Sequence, residues 1–209
     1  GLPPGVIVPV KLDVTDAVSV DAAAASVAAS GHKLDALVNN AGVLLERDGT
    51  DLTSLIEPTL GVNVDGVVNV TTAFIDLLRD GGQIINVSSG AGTRAAGKLG
   101  AAAFTEMENA STSAALRASI TRLAHDVASK PHATGETPIY GLSKCALNFY
   151  TQLIARQETR LRVNACSPGF CRTDIAGKSV AYTREPKDAA LGASVVLKLL
   201  REELAGSGG

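Results

Sequence analysis

The chain has 209 residues, of which 45% are hydrophobic, and its formal net charge at pH 7 is −2. This length suits one domain with a sizeable core, and the hydrophobic fraction excludes a disordered chain. The small net charge excludes a protein that binds nucleic acid through a basic surface. No apolar run reaches the roughly 18 residues of a membrane-spanning helix, so we expect no membrane partner.

The cysteines and the chain ends bear on compartment and completeness. Cys145, Cys166 and Cys171 lack the close spacing of metal ligands, which predicts reduced thiols, a cytoplasmic protein and no metal site. The chain begins with Gly1 rather than Met and ends in a Gly-Ser-Gly-Gly stretch at 206–209. We therefore expect both ends to be cut, and a targeting segment can have been lost with the N-terminus.

Apolar runs and capping residues predict an alternation of strands and helices. In chain order we predict a strand at 6–10, a helix capped by Thr15 or Asp16 and closed by Gly31, a strand at 34–38, and a helix at 60–78 that 80–82 ends. There follow a strand at 84–87, an amphipathic helix through Leu116, Ile120, Leu123 and Val127, a helix at 140–157, a strand at 161–165, and a helix from near Pro186 to near Leu204. Almost wholly apolar strands that alternate with helices indicate an α/β fold with a parallel sheet covered on both faces.

Polar residues directly follow several of the predicted strands. They are Asp13, Asn39, Ser89 and the pair Pro168-Gly169. In open parallel sheets, ligands bind beyond the carboxyl ends of the strands. We therefore expect the functional site at that edge of the sheet.

Tyr140 and Lys144 are four residues apart in a predicted helix, so they lie on one face within reach of each other. An ammonium near a phenol favours the phenolate, and such a tyrosine can give a proton to a carbonyl or take one from an alcohol. The alternative for an isolated Tyr-x-x-x-Lys sequence is a helix start followed by a surface lysine.

Other polar residues have structural alternatives as well. Ser89 can cap a helix or form a turn, and Asn63 can be a solvated residue within a helix. The Asn-Asn-Ala-Gly sequence at 39–42 can be a turn that requires glycine. Each residue indicates little by itself, and their order along the chain is what favours a functional site.

Five motifs follow one another in a fixed order. They are Asn-Asn-Ala-Gly at 39–42, Val-Asn-Val-Asp-Gly at 62–66, Asn-Val-Ser-Ser at 86–89, Tyr-Gly-Leu-Ser-Lys at 140–144, and Asn-Ala-Cys-Ser-Pro-Gly-Phe-Cys-Arg-Thr at 164–173. In this order and spacing they resemble the motifs of the short-chain dehydrogenase/reductase (SDR) family, from Asp13 to the last helix. The resemblance implies a Rossmann-like, doubly wound parallel sheet and an oxidoreductase that moves hydride between a nicotinamide cofactor and a carbonyl or alcohol.

The segment between Ser89 and Tyr140 is far longer than in most of that family. This insertion at about 91–137, together with the sequence at 164–174, is similar to the monomeric NADPH-dependent carbonyl reductase branch. The resemblance implies a single domain over 1–209 that reduces small-molecule aldehydes or ketones with NADPH, without excluding NAD. It also implies a monomer.

The resemblance assigns roles to individual residues. Tyr140 would be the general acid, Lys144 would bond the nicotinamide ribose, Ser89 would hold the substrate carbonyl oxygen, and Asn63 would hold a water in a proton relay. The adenosine end of the cofactor would be met by Asp13, Val14, Asn39, Ala41 and Gly42, of which the last three would also brace the sheet. The nicotinamide would be flanked by Pro168, Gly169 and Thr173. The substrate pocket would have a roomy, apolar wall formed by Gly90, Ala91 and Phe170.

One departure from the family concerns the cofactor phosphates. The family begins with a strand and a Gly-rich turn whose N–H groups hold the pyrophosphate. No such turn occurs in this sequence, since the helix after Asp16 contains no glycine before Gly31, and the family's last strand is also absent. We therefore expect an incomplete sheet and no activity from residues 1–209 alone. The alternative function is that of a catalytically inactive relic or fragment that acts as an interaction module.

The predicted helix at 140–157 leaves two points open. Cys145 is either a thiol whose pKa the neighbouring Lys144 lowers or an inert buried cysteine. The helix also has a second apolar face, formed by Leu147, Tyr150 and Ile154. We expect the segment around 112–128 to cover this face in place of a partner subunit.

Overall fold

The computed structural model describes residues 6–175 and 185–201. Its strands are β1 (Leu34–Asn39), β2 (Leu78–Val87) and β3 (Arg162–Cys166). Its α-helices are α1 (Ala17–Ala28), α2 (Leu52–Leu60), α3 (Gly66–Phe74), α4 (Gly90–Lys98), α5 (Ala101–Glu108), α6 (Ser113–Ala128), α7 (Pro138–Gln157) and α8 (Ala189–Leu200). A π turn (Gly61–Asp65) joins α2 to α3, and a 3-10 turn (Ile75–Leu77) joins α3 to β2. Within the described ranges, every helix is too short or too polar to cross a lipid bilayer.

The strands form one parallel sheet in the order β1-β2-β3. Ile84 of β2 pairs with Leu37 on one side and with Val163 on the other. Ile84 and Ile85 are both fully buried. Because neighbouring side chains of a strand point to opposite faces of the sheet, both faces of β2 are covered. The α/β architecture with a buried parallel sheet is therefore confirmed.

The largest apolar cluster lies around α7, which packs against β3, α4 and α6. Leu116 and Ile120 of α6 and Ile139 and Leu147 of α7 are almost completely buried in it. A smaller cluster joins α1 to α3. The helix predicted from the apolar spacing at 116–127 is confirmed, and it packs on α7 as expected.

The predicted strand at 6–10 is wrong. This segment has no strand structure, and Ile7 and Val8 are 90% and 62% exposed. A strand needs a neighbour that bonds its N–H and C=O groups. In the described part of the chain, β1, β2 and β3 pair only among themselves. An apolar sequence alone is therefore insufficient to form a strand here.

The predicted helix at 60–78 has the wrong limits. Helix α2 begins at Leu52, because the Asp51 carboxylate accepts hydrogen bonds from the N–H groups of Thr53 and Ser54. The π turn then divides the periodic region, and the predicted stop at 80–82 lies inside β2 rather than before it. The Gly81 N–H donates to Arg160 O at 2.9 Å, so this stretch is tied to the segment that leads into β3.

Two further differences concern the second half of the chain. Helix α8 begins at Ala189 and is capped by the Asp188 carboxylate, so Pro186 lies just before the helix. The end predicted near Leu204 lies outside the described residues. Helices α4 and α5 precede α6 between Ser89 and Tyr140, and the sequence pattern does not predict either of them.

Candidate active site

Tyr140 and Lys144 lie in the first two turns of α7, which begins at Pro138. Proline suits this position because it has no N–H to leave unpaired and its φ is already helical. The Lys144 Nζ lies 5.9 Å from the centre of the Tyr140 ring and donates to Val87 O at 2.9 Å. The helix thus brings ammonium and phenol together, and Lys144 is not the surface lysine of the alternative interpretation.

Lys144 is a buried cation with 4% of its surface exposed. Burial lowers the pKa of Lys144 from 10.5 to about 8, because a low-dielectric environment disfavours the charged form. The ammonium still predominates at neutral pH. An ammonium has three N–H donors, and within the described residues Lys144 uses one of them, on Val87 O. Two donors are left for a ligand.

The two serines at the end of β2 have different tasks. Ser89 caps α4, since its Oγ accepts a hydrogen bond from the Ala91 N–H at 3.2 Å, and its side chain is only half-buried. Ser88 is buried, and its Oγ donates to Asn148 Oδ1 at 2.6 Å on α7. Both serines line the cleft, but the Ser88 hydroxyl ties the strand to α7, whereas the Ser89 side chain is the more exposed of the two.

Asn63 lies in the π turn and is fully buried rather than solvated. Its Nδ2 donates to Val43 O and to Ser143 Oγ, both at 2.9 Å, and its Oδ1 accepts from the Val43 N–H at 2.8 Å. The side chain thus braces the loop after β1 against α7. Both of its N–H groups are used, so a water can bind this side chain only through Oδ1.

In the segment at 39–42, Asn39 links neighbouring elements of the fold, and Gly42 lies close to the side chains of Asn63 and Lys144. Asn39 is buried, and its Nδ2 donates to Thr71 Oγ1 at 3.1 Å and to Asn86 Oδ1 at 2.8 Å, which links β1 to α3 and β2. A Cβ added at Gly42 would lie 3.3 Å from both Asn63 Oδ1 and Lys144 Nζ. Ala41, between them, is exposed.

The loop after β3 forms the opposite wall of the site. Gly169 has a φ of 78°, in the left-handed region that favours glycine. A Cβ at this position would also come within 3.1 Å of Lys187 Nζ. Phe170 is half-buried, and Thr173 is exposed.

Asp13 and Val14 lie apart from this arrangement. Asp13 is exposed, and hydrogen bonds from the side chain and backbone of Thr15 lower its pKa. Val14 packs against the start of α3, where a Cβ on Gly66 would lie only 2.7 Å from its Cγ2.

A cleft of about 480 Å³ opens between α4, the start of α7 and the loop after β3. The predicted site residues that line it are Gly42, Ser89, Gly90, Ala91, Tyr140, Lys144, Pro168, Gly169, Phe170 and Thr173. The predicted site residues that do not line it are Asp13, Val14, Asn39, Ala41 and Asn63. The fold thus brings a hydroxyl, a phenol and a buried ammonium to one opening.

Sequence reasoning missed Glu46, a buried carboxylate on the loop after β1. Its Oε1 accepts hydrogen bonds from the Ile139 N–H at 2.7 Å and from the Tyr140 N–H at 3.1 Å, so it caps α7 from a distant part of the chain. Burial raises the pKa of Glu46, although these two hydrogen bonds oppose the shift. The only sequence signal is an acidic residue directly after the apolar run 43–45.

Cys145 is the inert cysteine of the two alternatives. It is fully buried, and burial raises the pKa of its thiol to about 12. Its neighbour Lys144 directs its charge towards Val87 and the cleft instead. The thiol is therefore protonated at neutral pH.

Comparisons with known proteins show which sequences the chain is similar to. The family model for short chain dehydrogenases matches residues 4–130. The chain is 30% identical to carbonyl reductase (NADPH) 1 of Oryctolagus cuniculus. The alignment extends over 190 residues and covers 86% of this chain and 68% of that protein. The chain is also 29% identical to (+)-neomenthol dehydrogenase of Arabidopsis thaliana. That alignment extends over 196 residues and covers 81% of this chain and 66% of that protein.

A solved structure shows the same architecture. Salutaridine reductase from Papaver somniferum superposes with a TM-score of 0.73 at 25% identity, over 90% of this chain and 76% of that one. The likeness shows that the fold is the Rossmann-like α/β fold predicted from the sequence. The chain spans between 60% and 71% of the length of the carbonyl reductases it matches.

Proposed function

Because the chain belongs to the short-chain dehydrogenase family of oxidoreductases, we propose that it reduces aldehydes or ketones to alcohols with NADPH. The observation that carries this proposal is the convergence of Ser89, Tyr140 and Lys144 on one cleft. The choice of NADPH is supported by the carbonyl reductase it resembles, which is named for that cofactor.

The residues of the cleft fit the nicotinamide half of the cofactor. Gly42 keeps open the space beside the ammonium, where a Cβ would lie 3.3 Å from Lys144 Nζ. Lys144 would give its two remaining N–H donors to the nicotinamide ribose, and Pro168, Gly169 and Thr173 would flank the ring. When bound, the cofactor supplies the hydride that reduces the carbonyl carbon.

Ser89 and Tyr140 would both act on the carbonyl oxygen. Ser89 Oγ would donate a hydrogen bond that fixes the carbonyl and polarises it. The Tyr140 hydroxyl would give its proton to the same oxygen as negative charge develops there. The Lys144 ammonium, 5.9 Å from the centre of the phenol ring, favours the phenolate that remains.

Several finer assignments stay predictions. The water relay at Asn63 is limited to its Oδ1, because its two N–H groups already brace Val43 and Ser143. Contacts of Asp13 and Val14 with adenine, the monomeric state and the cytoplasmic location also stay predictions.

The proposal is tested by Tyr140→Phe in the full-length protein. We expect kcat for carbonyl reduction to fall by more than about 100-fold, because the proton donor is lost, while NADPH still binds. Steady-state kinetics and a fluorescence titration with NADPH measure the two quantities. Retention of most of the kcat by Tyr140→Phe would contradict the assignment.

Tyr150→Phe is the matched control, because Tyr150 lies on the same helix but is 2% exposed and does not line the cleft. We expect it to keep its kcat. A wild-type protein that binds NADPH but reduces no aldehyde or ketone would favour the inactive interaction module instead.

A further inference from the structure

A second cavity, of about 710 Å³, adjoins the catalytic cleft. It lies between α4, the end of α6, the loop at 131–137 and the start of α7. Ala91 and Arg94 line both cavities. The second cavity therefore begins directly beside Ser89, whose Oγ accepts a hydrogen bond from Ala91.

The wall of this cavity suits the body of an organic molecule. Its apolar lining includes Ala95 of α4, Leu99 directly after α4, Val127 of α6 and Leu142 of α7. Ligand pockets of this kind are mostly apolar, with a few polar groups that fix the orientation of the ligand.

Most charged groups at this cavity already have partners. Lys98 Nζ lies 3.6 Å from Glu136 Oε1, and His132 Nε2 lies 2.7 Å from Val127 O. His132 Nδ1 is also 3.6 Å from Glu136 Oε2. These contacts leave neither Lys98 nor Glu136 as an uncompensated charge.

Arg94 differs from these groups. Within the described residues it forms no hydrogen bond or ion pair, and its exposed side chain lines both cavities. A Cβ on Gly90, the residue after Ser89, would be 3.5 Å from an Arg94 terminal nitrogen. The exposed carboxylate of Asp174 also lines the cleft, but it is not paired with Arg94.

We propose that Arg94 binds a carboxylate of the substrate and that the second cavity holds the apolar part, which makes oxo acids the preferred carbonyl substrates. A guanidinium presents two parallel N–H groups that match the two oxygens of a carboxylate. This inference rests on the proposed function, since it places the carboxylate a few bonds from the carbonyl group held by Ser89.

The test compares 3-formylbenzoic acid with its methyl ester, because the two molecules share one skeleton and differ in the charge. The full-length wild-type protein should reduce the acid with a kcat/KM about tenfold above that of the ester. Arg94→Gln should remove this preference by lowering kcat/KM for the acid and leaving the ester unchanged. Arg122→Gln removes a cation outside both cavities and should keep the preference.

Equal kcat/KM values for acid and ester in the wild type would overturn this inference while leaving carbonyl reduction intact. The same holds if Arg94→Gln keeps the preference. If neither compound is reduced, calorimetric titration of 3-formylbenzoate decides on Arg94, and the proposed function is decided separately by the kinetics of the wild type and Tyr140→Phe on other aldehydes and ketones. Binding to the wild type that Arg94→Gln weakens about tenfold supports the carboxylate site, and equal binding by the two proteins overturns it.

Discussion

At the scale of single residues, the position of Tyr140 depends on a carboxylate from the loop after β1. Glu46 is 4% exposed and accepts hydrogen bonds from the backbone N–H groups of Ile139 and Tyr140. These N–H groups belong to the first turn of α7, where backbone N–H groups have no carbonyl partner within the helix. Glu46 is therefore a positioning residue that fixes the backbone from which the catalytic phenol projects.

Burial of Glu46 makes its contribution to stability depend on pH. The pKa of this carboxyl is raised above its ordinary value of 4.5 in the folded protein. At pH values between the ordinary pKa of the unfolded chain and the raised pKa of the folded protein, the folded state binds more protons than the unfolded state. The stability from this group is thus fully present below pH 4.5 and is lost as the pH rises through the raised pKa.

Glu46→Gln should therefore gain stability relative to the wild type as the pH rises through this window. The amide oxygen of Gln still accepts a hydrogen bond from α7, but the side chain cannot ionise. Denaturant unfolding of both proteins from about pH 4 to about pH 8 measures the difference in the free energy of unfolding. A difference that stays constant over this range would show that Glu46 has an ordinary pKa.

At the scale of elements, the close contact between α4 and α7 sets the distance between Ser89 and Tyr140. Gly92 lies where the two helices meet, and a Cβ there would be 2.6 Å from the carbonyl carbon of Lys144 and 2.7 Å from its oxygen. These atoms are backbone, so they cannot move without displacing α7. Glycine is required at this position because two helices approach each other, not because of a special φ.

Gly92→Ala should separate α4 from α7 and reduce both stability and activity. We expect a loss of about 1–3 kcal/mol in the free energy of unfolding, the range for overpacked sites, together with a lower kcat. Gly97→Ala is the matched control on the same helix, because a Cβ there meets nothing within 4 Å. It should stabilise α4 by about 0.5–1 kcal/mol. Equal effects of the two substitutions would exclude the close contact.

At the scale of the whole molecule, α6 covers the outer face of α7. Ile120 and Leu147 from the two helices belong to one buried cluster. Arg117 holds α6 in place through ion pairs with Glu57 at 2.7 Å and Asp65 at 2.9 Å. An internal cover of this kind avoids the loss of translational and rotational freedom that association requires, which is the basis of the predicted monomer.

Ile120→Asp should expose the covered face of α7. A charge at this fully buried position should reduce the free energy of unfolding by more than about 3 kcal/mol and produce dimers or aggregates. Ala118→Asp places the same charge on the exposed side of α6 and should leave the protein unchanged. Multi-angle light scattering and denaturant unfolding give the two readouts.

A stable tetramer of the intact protein in the same light-scattering measurement would contradict the predicted monomer. It would also weaken the resemblance to the carbonyl reductase branch, since that placement implies a single subunit. Aggregation of Ala118→Asp to the same extent as Ile120→Asp would show that the burial of Ile120 is not the cause.

The local sequence predicts much of the fold and the centre of the site. The helix at 140–157 and the placement of Tyr140 beside Lys144 follow from a spacing of four residues and the pitch of an α-helix. The strands at 34–38, 84–87 and 161–165 follow from short apolar runs. The limits of β1 and β3 agree with the prediction within one residue, whereas β2 ends at Val87 as predicted but begins at Leu78. The predicted limits of the helix at 60–78 are wrong. The spacing of apolar residues reveals neither the Asp51 cap, at which α2 begins, nor the π turn that separates α2 from α3.

By itself, the sequence determined the order of the three strands and the pairing of Tyr140 with Lys144, because a period of 3.6 residues and an apolar run act over a few residues of backbone. Only the tertiary structure decided that the Ser88 hydroxyl is bonded to α7, that Glu46 caps α7, and that 6–10 forms no strand. Each of these depends on a group far away in the chain, such as Asn148 for Ser88 or Tyr140 for Glu46. The physical reason is that burial and hydrogen-bond partners are set by contacts in space, which no local period of the sequence encodes.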